Sequence, residues 1–275
     1  MTPSTTAQTP SPVHLFDLAP DPWSANVLKT RLILNHKSIP YTESRISYPD
    51  ITPVLQSLGI APHPPASKQP APYTLPAILH NGLRSDENTH GALMDSLPIA
   101  VYLDKAFPAE HGRGIFPRGE ESIRQAVKVN KGLGGVVRAG ICLIAPNMPS
   151  ILDSRGAEYF RRTREARFGK PLEQLRPAAE EGVQGVLKNV EAEMAGVVEM
   201  LRVDGGGPFF EGEMVSYADF VLVAFLEWFW KVNLSVFEAV PGVGDGEVRA
   251  VWDACRCWLR QRGVEREWKV EGDES

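Results

Sequence analysis

The chain has 275 residues, of which 43% are apolar and 23% are charged, a composition typical of a globular protein with one large core or two smaller domains. It contains no uninterrupted apolar run of about 18 residues, so the sequence predicts no membrane-spanning helix. Its 29 basic and 34 acidic residues give a formal net charge of −5. This is the wrong sign for a general nucleic-acid binder, whose affinity depends mainly on Lys and Arg that neutralise phosphates.

The cysteines and the two ends of the chain indicate the cellular compartment of the protein. Cys142, Cys255 and Cys257 are few and odd in number, which argues against a disulfide framework and favours a reducing compartment. The leader MTPSTTAQTPSP lacks the basic and apolar regions of a secretory signal, and we expect residues 1–12 to be disordered. We expect residues 269–275 to form a flexible tail. These features predict a cytoplasmic protein.

The segment 13–108 shows the pattern of a mixed α/β domain. VHLFDL predicts a strand, ANVLKTRLILNHK a helix and IPYTESRIS a second strand, which together make a βαβ unit with a parallel strand pair. A short helix (DITPVLQSLGI) and a proline-rich connection (APHPPASKQPAP) follow. YTLPAILHNG and ALMDS then predict a strand pair, and SLPIAVYLDKAF predicts a helix with Pro98 in its first turn. The predicted order is βαβ-α-ββ-α.

The segment 118–268 is predicted to be helical almost throughout, with no convincing strand. A long helix is expected over ESIRQAVKVNKGLGGVVRAGICLIA, although Gly132, Gly134 and Gly135 weaken it. These glycines either admit a bulky ligand or allow close packing of helices. Three further helical segments are PLEQLRPAAEEGVQGVLKNVEAEMAGVVEMLR, SYADFVLVAFLEWFWKVN and GEVRAVWDACRCWLRQR. An α/β unit followed by an all-α unit is the predicted architecture.

Ser24 stands where the first strand ends, a loop turns and the first helix begins. A serine in this place is commonly an N-cap that bonds to its own helix. The same place offers unpaired backbone N–H groups and the positive end of the helix dipole, which favour an anion. A hydroxyl that donates to a thiolate contributes about 1.5–3 kcal/mol. With the dipole, this is enough to lower a thiol pKa by about one to two units from about 8.5. The residues alone leave both interpretations open.

Two further motifs have a structural and a functional interpretation. Leu75-Pro76 is either an ordinary strand-start proline or an interruption that leaves the backbone of Leu75 free to pair with an extended peptide. Asp95 and Ser96 are either helix caps or a carboxylate and a hydroxyl that hold an amino-acid head group. In the second case, Ser96 and the helix N–H groups bind the carboxylate of the ligand, and Asp95 binds its ammonium.

These motifs, in this order, resemble the glutathione transferase family. WSANVLKTRLIL is similar to the active-site loop and first helix of that family, TLPAI to its cis-proline strand, and MDSLPIAVYLD to its Glu/Asp-Ser element. GEMVSYADFVLVAFLEW resembles the start of its buried C-terminal helix, with Ser216 and Asp219 in a capping box. PWSAN, YPDI and FLEW are most similar to a fungal class related to bacterial β-etherases. The resemblance implies an α/β thioredoxin-like N-terminal domain over 13–108 and an all-α C-terminal domain over 118–268.

The same resemblance implies a site for glutathione as cosubstrate. Ser24 is the implied catalytic residue, which stabilises the glutathione thiolate. The implied glutathione-binding residues are Asn26, Leu75, Pro76, Asp95 and Ser96. Asp95 is one methylene shorter than the commoner Glu of the family, and no residue can be named for the glycine carboxylate. Relatives of this kind are usually homodimers, and we expect a homodimer here.

A hydrophobic small-molecule substrate is expected between the two domains. It would be bounded by the loop around Ser24 and by the first long helix of the C-terminal domain. The predicted lining residues are Pro22, Trp23, Phe116, Val136 and Gly140. Trp228, Phe229 and Trp230 continue a buried helix and are predicted to belong to the core.

Several other chemistries are disfavoured by the sequence. A serine hydrolase usually needs a glycine-flanked elbow, which PWSAN lacks. No His or Cys spacing predicts a metal site, and Ser24 cannot form the mixed disulfide of a redox enzyme. An activated glutathione then has three uses: conjugation to an electrophile, cleavage of an ether, and elimination or isomerisation in a biosynthetic pathway. A non-catalytic ligand-binding protein with the same fold is the remaining alternative.

Overall fold

A computed structural model describes residues 13–67, 71–108, 114–203 and 206–269. The predicted leader 1–12 and the tail from residue 270 lie outside these residues. Within the described ranges, no helix is long and apolar enough to cross a membrane. All three cysteines are free thiols.

The first domain has the predicted βαβ-α-ββ-α order. Its elements are the strands β1 Val13–Leu18, β2 Tyr41–Ile46, β3 Ala77–Leu79 and β4 Ala92–Met94, and the helices α1 Ala25–His36, α2 Ile51–Ser57 and α3 Ser96–Ala106. Strand β1 is parallel to β2, and β3 is antiparallel to both β1 and β4. The strand order β4-β3-β1-β2 is that of the predicted thioredoxin-like sheet.

The second domain is built from helices packed around α4. The helices are α4 Glu120–Ile144, α5 Ser154–Phe168, α6 Glu180–Arg202, α7 Tyr217–Val232, α8 Leu234–Ala239 and α9 Glu247–Cys255. Helix α4 runs unbroken through Gly132, Gly134 and Gly135. A Cβ on Gly132 would lie 3.0 Å from Val197, and one on Gly135 would lie 2.2 Å from Glu193. These two glycines therefore allow α4 to pack closely on α6.

The prediction that 118–268 is an all-α domain without a strand is wrong at its end. Val264–Glu265 form a fifth strand, β5, which pairs in parallel with β2 and extends the sheet of the first domain. Beyond it, the ring of Trp268 packs against that of Phe16, with centroids 4.8 Å apart. A strand of two residues is too short to show a hydrophobic periodicity in the sequence. Its conformation is set by tertiary contact with β2, which the sequence does not reveal.

Helix α1 is almost completely enclosed, because it lies between the sheet and α7. Even its charged residues Lys29 and Arg31 are at most 2% exposed. Arg31 Nη2 lies 2.7 Å from Asp17 Oδ2, and Arg31 Nη1 lies 2.5 Å from Glu43 Oε2. The fixed fork of the guanidinium thus joins α1 to both β1 and β2. This ion cluster fixes the helix at whose N-terminus Ser24 stands.

Helix α7 begins with the predicted capping box. The carboxylate of Asp219 accepts hydrogen bonds from the Phe210 N–H at 2.9 Å and from the Ser216 N–H at 2.7 Å. It also accepts one from the Ser216 hydroxyl at 2.9 Å. Ser216 and Asp219 are fully buried, so these donors have no access to water as an alternative acceptor.

Replacement of Asp219 by alanine is expected to lower the free energy of unfolding by about 3 kcal/mol, because each buried donor left without an acceptor costs about 1–3 kcal/mol. Unfolding in denaturant measures the loss. Asp253→Ala is the matched control, since that half-exposed carboxylate pairs only with surface arginines and is worth about 0–1 kcal/mol. Equal losses in the two variants would contradict the role of Asp219.

Candidate active site

A cavity of about 370 Å³ lies between the two domains, at the N-terminal end of α1. Its wall is formed by the loop before α1, the loop after β2 and the helices α4, α5 and α7. The wall is mainly apolar and aromatic, and its polar side chains include Ser24, Asn26, Arg164 and Arg167. An apolar cavity with a few polar groups is typical of a small-molecule site. Among the described residues, no group of three His, Cys, Asp or Glu side chains could hold a metal ion.

Ser24 is the N-cap residue of α1, but its side chain makes no capping hydrogen bond. Only its main-chain carbonyl serves the helix, by accepting the first helical hydrogen bond from the Leu28 N–H at 2.8 Å. The residue is 8% exposed and lines the cavity. The bond on which the N-cap interpretation depends is therefore absent. The hydroxyl is available to a ligand at the positive end of the helix dipole.

Lys29, one turn after Asn26, holds the Asn26 side chain in one orientation. Its Nζ donates to Asn26 Oδ1 at 2.9 Å and to Asn130 Oδ1 on α4 at 2.7 Å, and it lies 5.0 Å from the ring centroid of Phe225. A lysine ammonium can only donate, so it binds the carbonyl oxygen of Asn26 and leaves the amide NH₂ free for a ligand. Burial lowers the pKa of Lys29 to about 7, although the charge of Asp95 opposes the shift. Sequence reasoning missed Lys29, because a lysine within a helix is usually a surface residue.

The segments around Pro76 and Asp95 meet at the start of α3. The Leu75-Pro76 peptide bond is cis, and the Asp95 N–H donates to the carbonyl of Pro76 at 3.1 Å. Among the described residues, none forms a hydrogen bond with the main-chain N–H or C=O of Leu75. This backbone can therefore pair with an extended peptide in the manner of an added strand.

Asp95 has an unusual backbone conformation for a residue other than glycine. Its φ of 83° costs of order 1–3 kcal/mol, and strain of this kind is concentrated at ligand sites. The Asp95 carboxylate makes no capping bond to α3. Burial raises the pKa of the Tyr217 phenol of α7, and the hydroxyl of the next residue, Ser96, opposes this shift. The Asp95 carboxylate stays available to a ligand.

Two predicted lining residues of α4 lie on its other face. Val136 is fully buried, and a Cβ on Gly140 would lie 3.1 Å from a valine of α6. The cavity is lined instead by Gly134, Val137 and Ile141. Successive side chains of a helix point about 100° apart. An error of one residue in the predicted rotation of α4 therefore assigns a core residue to the cavity.

The other lining predictions had mixed outcomes. Trp23 lines the cavity as predicted, whereas Phe116 and Pro22 are not among its lining residues. Phe116 packs on the Tyr217 ring, with centroids 5.7 Å apart, and Pro22 is buried in the loop before α1. Trp228, predicted to be core, lines the cavity.

Helix α5 completes the cavity wall against the loop after β2. Arg155 makes two hydrogen bonds of 2.8 Å to the carboxylate of Asp50, which docks α5 onto the first domain. This brings Phe160 and Arg164 to the cavity beside Tyr48. Sequence reasoning did not assign these residues to the cavity, although Tyr48 belongs to the YPDI motif, because only tertiary contact brings the two segments together.

Comparison with known proteins agrees with the fold. Residues 23–106 match a model of the glutathione S-transferase N-terminal domain, and residues 116–258 match a model of the glutathione S-transferase C-terminal domain. The glutathione S-transferase-like protein ustS of Aspergillus flavus is 44% identical over 271 residues, which cover 94% of this chain and 95% of that protein. The chain belongs to the glutathione S-transferase family.

Solved glutathione S-transferases share the fold. One from Ceriporiopsis subvermispora, solved in complex with glutathione, aligns with a TM-score of 0.77 at 29% identity, over 92% of this chain and 99% of its own. The transferase GSTFuA2 from Phanerochaete chrysosporium aligns with a TM-score of 0.72 at 26% identity, over 92% of this chain and 100% of its own. The predicted glutathione transferase fold, a thioredoxin-like domain followed by a helical domain, is confirmed.

The buried ammonium of Lys29 predicts a distinct pH dependence of stability. Its pKa falls from 10.5 to about 7 on folding, so between these values the unfolded chain holds the extra proton and stability rises with pH. The Tm of the wild type is therefore expected to rise relative to that of Lys29→Met from about pH 7 to about pH 9. The control Lys128→Met, at an exposed position, keeps the wild-type pH profile. Parallel profiles for wild type and Lys29→Met would refute the prediction.

Proposed function

We propose that this glutathione S-transferase uses Ser24 to keep the thiol of glutathione ionised for attack on an apolar, aromatic electrophile. The observation that carries the proposal is the Ser24 side chain, which lines the interdomain cavity without capping its own helix. Family membership supports glutathione as the cosubstrate. Two similar enzymes of Ceriporiopsis subvermispora were solved with glutathione, which supports the same assignment.

The γ-glutamyl end of glutathione belongs, in this proposal, at the start of α3. Asp95 pairs with the ammonium group, and Ser96 with the N–H groups of the first helical turn binds the carboxylate. The main chain of Leu75, held next to Pro76, pairs with the cysteinyl residue. This arrangement directs the thiol towards the N-terminus of α1.

The chemistry begins when the thiol releases its proton to water. The thiolate accepts a hydrogen bond from the Ser24 hydroxyl, and the amide of Asn26 offers a second donor. Such a bond contributes about 1.5–3 kcal/mol and a helix terminus about 0.3–1 kcal/mol, while about 1.36 kcal/mol corresponds to one pKa unit. The sulfur electron pair then forms a C–S bond with the electrophilic carbon. A leaving group departs with its bonding pair, or an addition product takes a proton from water.

Ser24→Ala is expected to lower kcat/KM roughly 10²-fold, because the transition state loses about 3 kcal/mol of stabilisation. Steady-state kinetics with a panel of aromatic electrophiles and aryl ethers measures this. Ser150→Ala, at an exposed serine outside the cavity, is the matched control and keeps the wild-type rate. An unchanged rate in Ser24→Ala would reject the serine as activator. A wild type that binds glutathione but turns over no electrophile would favour a ligand-binding protein instead.

Asp95→Asn is expected to raise the Kd of glutathione about tenfold or more, because the ammonium loses a charged partner worth about 1.5–3 kcal/mol. The amide keeps the size of the side chain and tolerates the positive φ. Isothermal titration calorimetry gives the Kd, with the exposed Asp86→Asn as control. A Kd equal to that of the wild type would remove Asp95 from the site.

The proposal includes the homodimer and the cytoplasmic location that the sequence predicts. Light scattering of the purified protein and imaging of a tagged chain test these two points separately from the chemistry.

A further inference from the structure

We propose that the second substrate is an aromatic molecule that carries an anionic group, and that Arg164 and Arg167 bind this group. The inference rests on the proposed function, since it names the chemistry of the molecule that shares the cavity with the glutathione thiol. Three features of the cavity wall support it: both arginines face the cavity from α5, neither has a carboxylate partner in the described part of the chain, and the polar groups near them are hydrogen-bond donors.

One face of α5 presents both arginines to the cavity. Phe160, Arg164 and Arg167 stand at positions i, i+4 and i+7, so they share a face of the helix, and all three line the cavity. The guanidinium of Arg164 lies 4.9 Å from the ring centroid of Phe160, and its Nη1 donates to Thr163 Oγ1 at 3.1 Å. These contacts hold a planar cation against an aromatic wall. An anion with two oxygen atoms can meet such a cation through two parallel hydrogen bonds.

The two cavity arginines lack the carboxylate partners that two other arginines of α5 have. Those two form the ion pairs Arg155–Asp50 and Arg161–Glu173. Among the described residues, neither Arg164 nor Arg167 forms an ion pair, and no Asp or Glu lines the cavity. Two cations beside a largely apolar cavity, without a carboxylate from the chain, favour a ligand that supplies the negative charge.

The other polar groups on this side of the cavity are also donors. Burial raises the pKa of Tyr48 to about 12, although Arg164 opposes the shift, so the phenol keeps its proton at neutral pH. The indole N–H of Trp228 is buried and has no acceptor among the described residues. Donors of this kind select a ligand with acceptor oxygen atoms, while the rings of Phe160 and Trp228 select an aromatic body.

Two fluorescent probes that differ by one sulfonate group test the inference. The probe 8-anilinonaphthalene-1-sulfonate carries a sulfonate, and N-phenyl-1-naphthylamine has the same skeleton without it. The wild type is expected to bind the sulfonate at least about tenfold more tightly in a fluorescence titration, which is about 1.4 kcal/mol. The double variant Arg164→Gln, Arg167→Gln is expected to bind the two probes within about threefold of each other and to keep its affinity for the neutral probe. Arg162→Gln, on the same helix but outside the cavity, keeps the wild-type preference.

Two further measurements separate the alternatives. Calorimetry is expected to give the double variant the wild-type Kd for glutathione; a weaker Kd with an unchanged probe preference would assign the arginines to glutathione and overturn the inference. Arg260→Gln alters an arginine-rich depression between α7 and α9, and loss of the preference in that variant would also overturn it. So would equal binding of both probes by the wild type.

The experiment does not depend on turnover. Failure of glutathione to bind the wild type would count against the proposed function, and the probe preference would still be measured independently of it. If the double variant does not fold, the single variant Arg167→Gln, at an exposed position, replaces it. It is expected to show a smaller loss of the preference for the sulfonate probe. An unchanged preference in that folded variant would contradict the role of Arg167.

Discussion

The proposed active site depends on one hydroxyl group that its own helix does not use. A serine at a helix N-terminus usually stabilises that helix by about 1 kcal/mol. Ser216, which is hydrogen-bonded within the capping box of α7, shows this ordinary role. Ser24 occupies the same position on α1 without the bond. The loop that carries it is held by Trp23, whose indole N–H donates to the Ala19 carbonyl at 3.3 Å. The hydroxyl that does not stabilise α1 is therefore free to stabilise the charge of a bound sulfur.

Without that cap, α1 depends on its neighbours for stability. The ion cluster around Arg31 joins it to the two parallel strands, and Lys29 joins it to α4 through Asn130. The second of these connections also fixes the amide of Asn26 beside the cavity. The contact between domains and the orientation of a donor group thus depend on the same buried lysine. Interactions that hold α1 in place also preorganise the donors at its N-terminus, which is the usual requirement for electrostatic stabilisation of a developing or retained charge.

The candidate residues at element boundaries could be recognised from the sequence, whereas the wall of the interdomain cavity could not. Ser24 and Pro76 stand where a strand, a loop or a helix begins. At such boundaries the residue types themselves indicate the local structure. On α4 the periodicity predicts a helix but not its rotation, and one residue of register exchanges Val136 in the core for Val137 in the cavity. Arg164 reaches the cavity only because α5 docks on the loop after β2. Strand β5 was not predicted because it also depends on tertiary contact: only its pairing with β2 makes this segment a strand.

The pKa of the bound glutathione thiol shows directly whether Ser24 stabilises the thiolate. A thiolate absorbs in the ultraviolet where a thiol does not, so a pH titration of the difference spectrum gives this pKa for the wild type and for Ser24→Ala. Because the Ser24 hydroxyl stabilises the thiolate, the wild-type pKa is expected about one to two units below the ordinary value of about 8.5, and the alanine variant is expected to have a pKa close to the ordinary one. The same pKa in both proteins, or an unshifted pKa in the wild type, would show that Ser24 does not stabilise the thiolate.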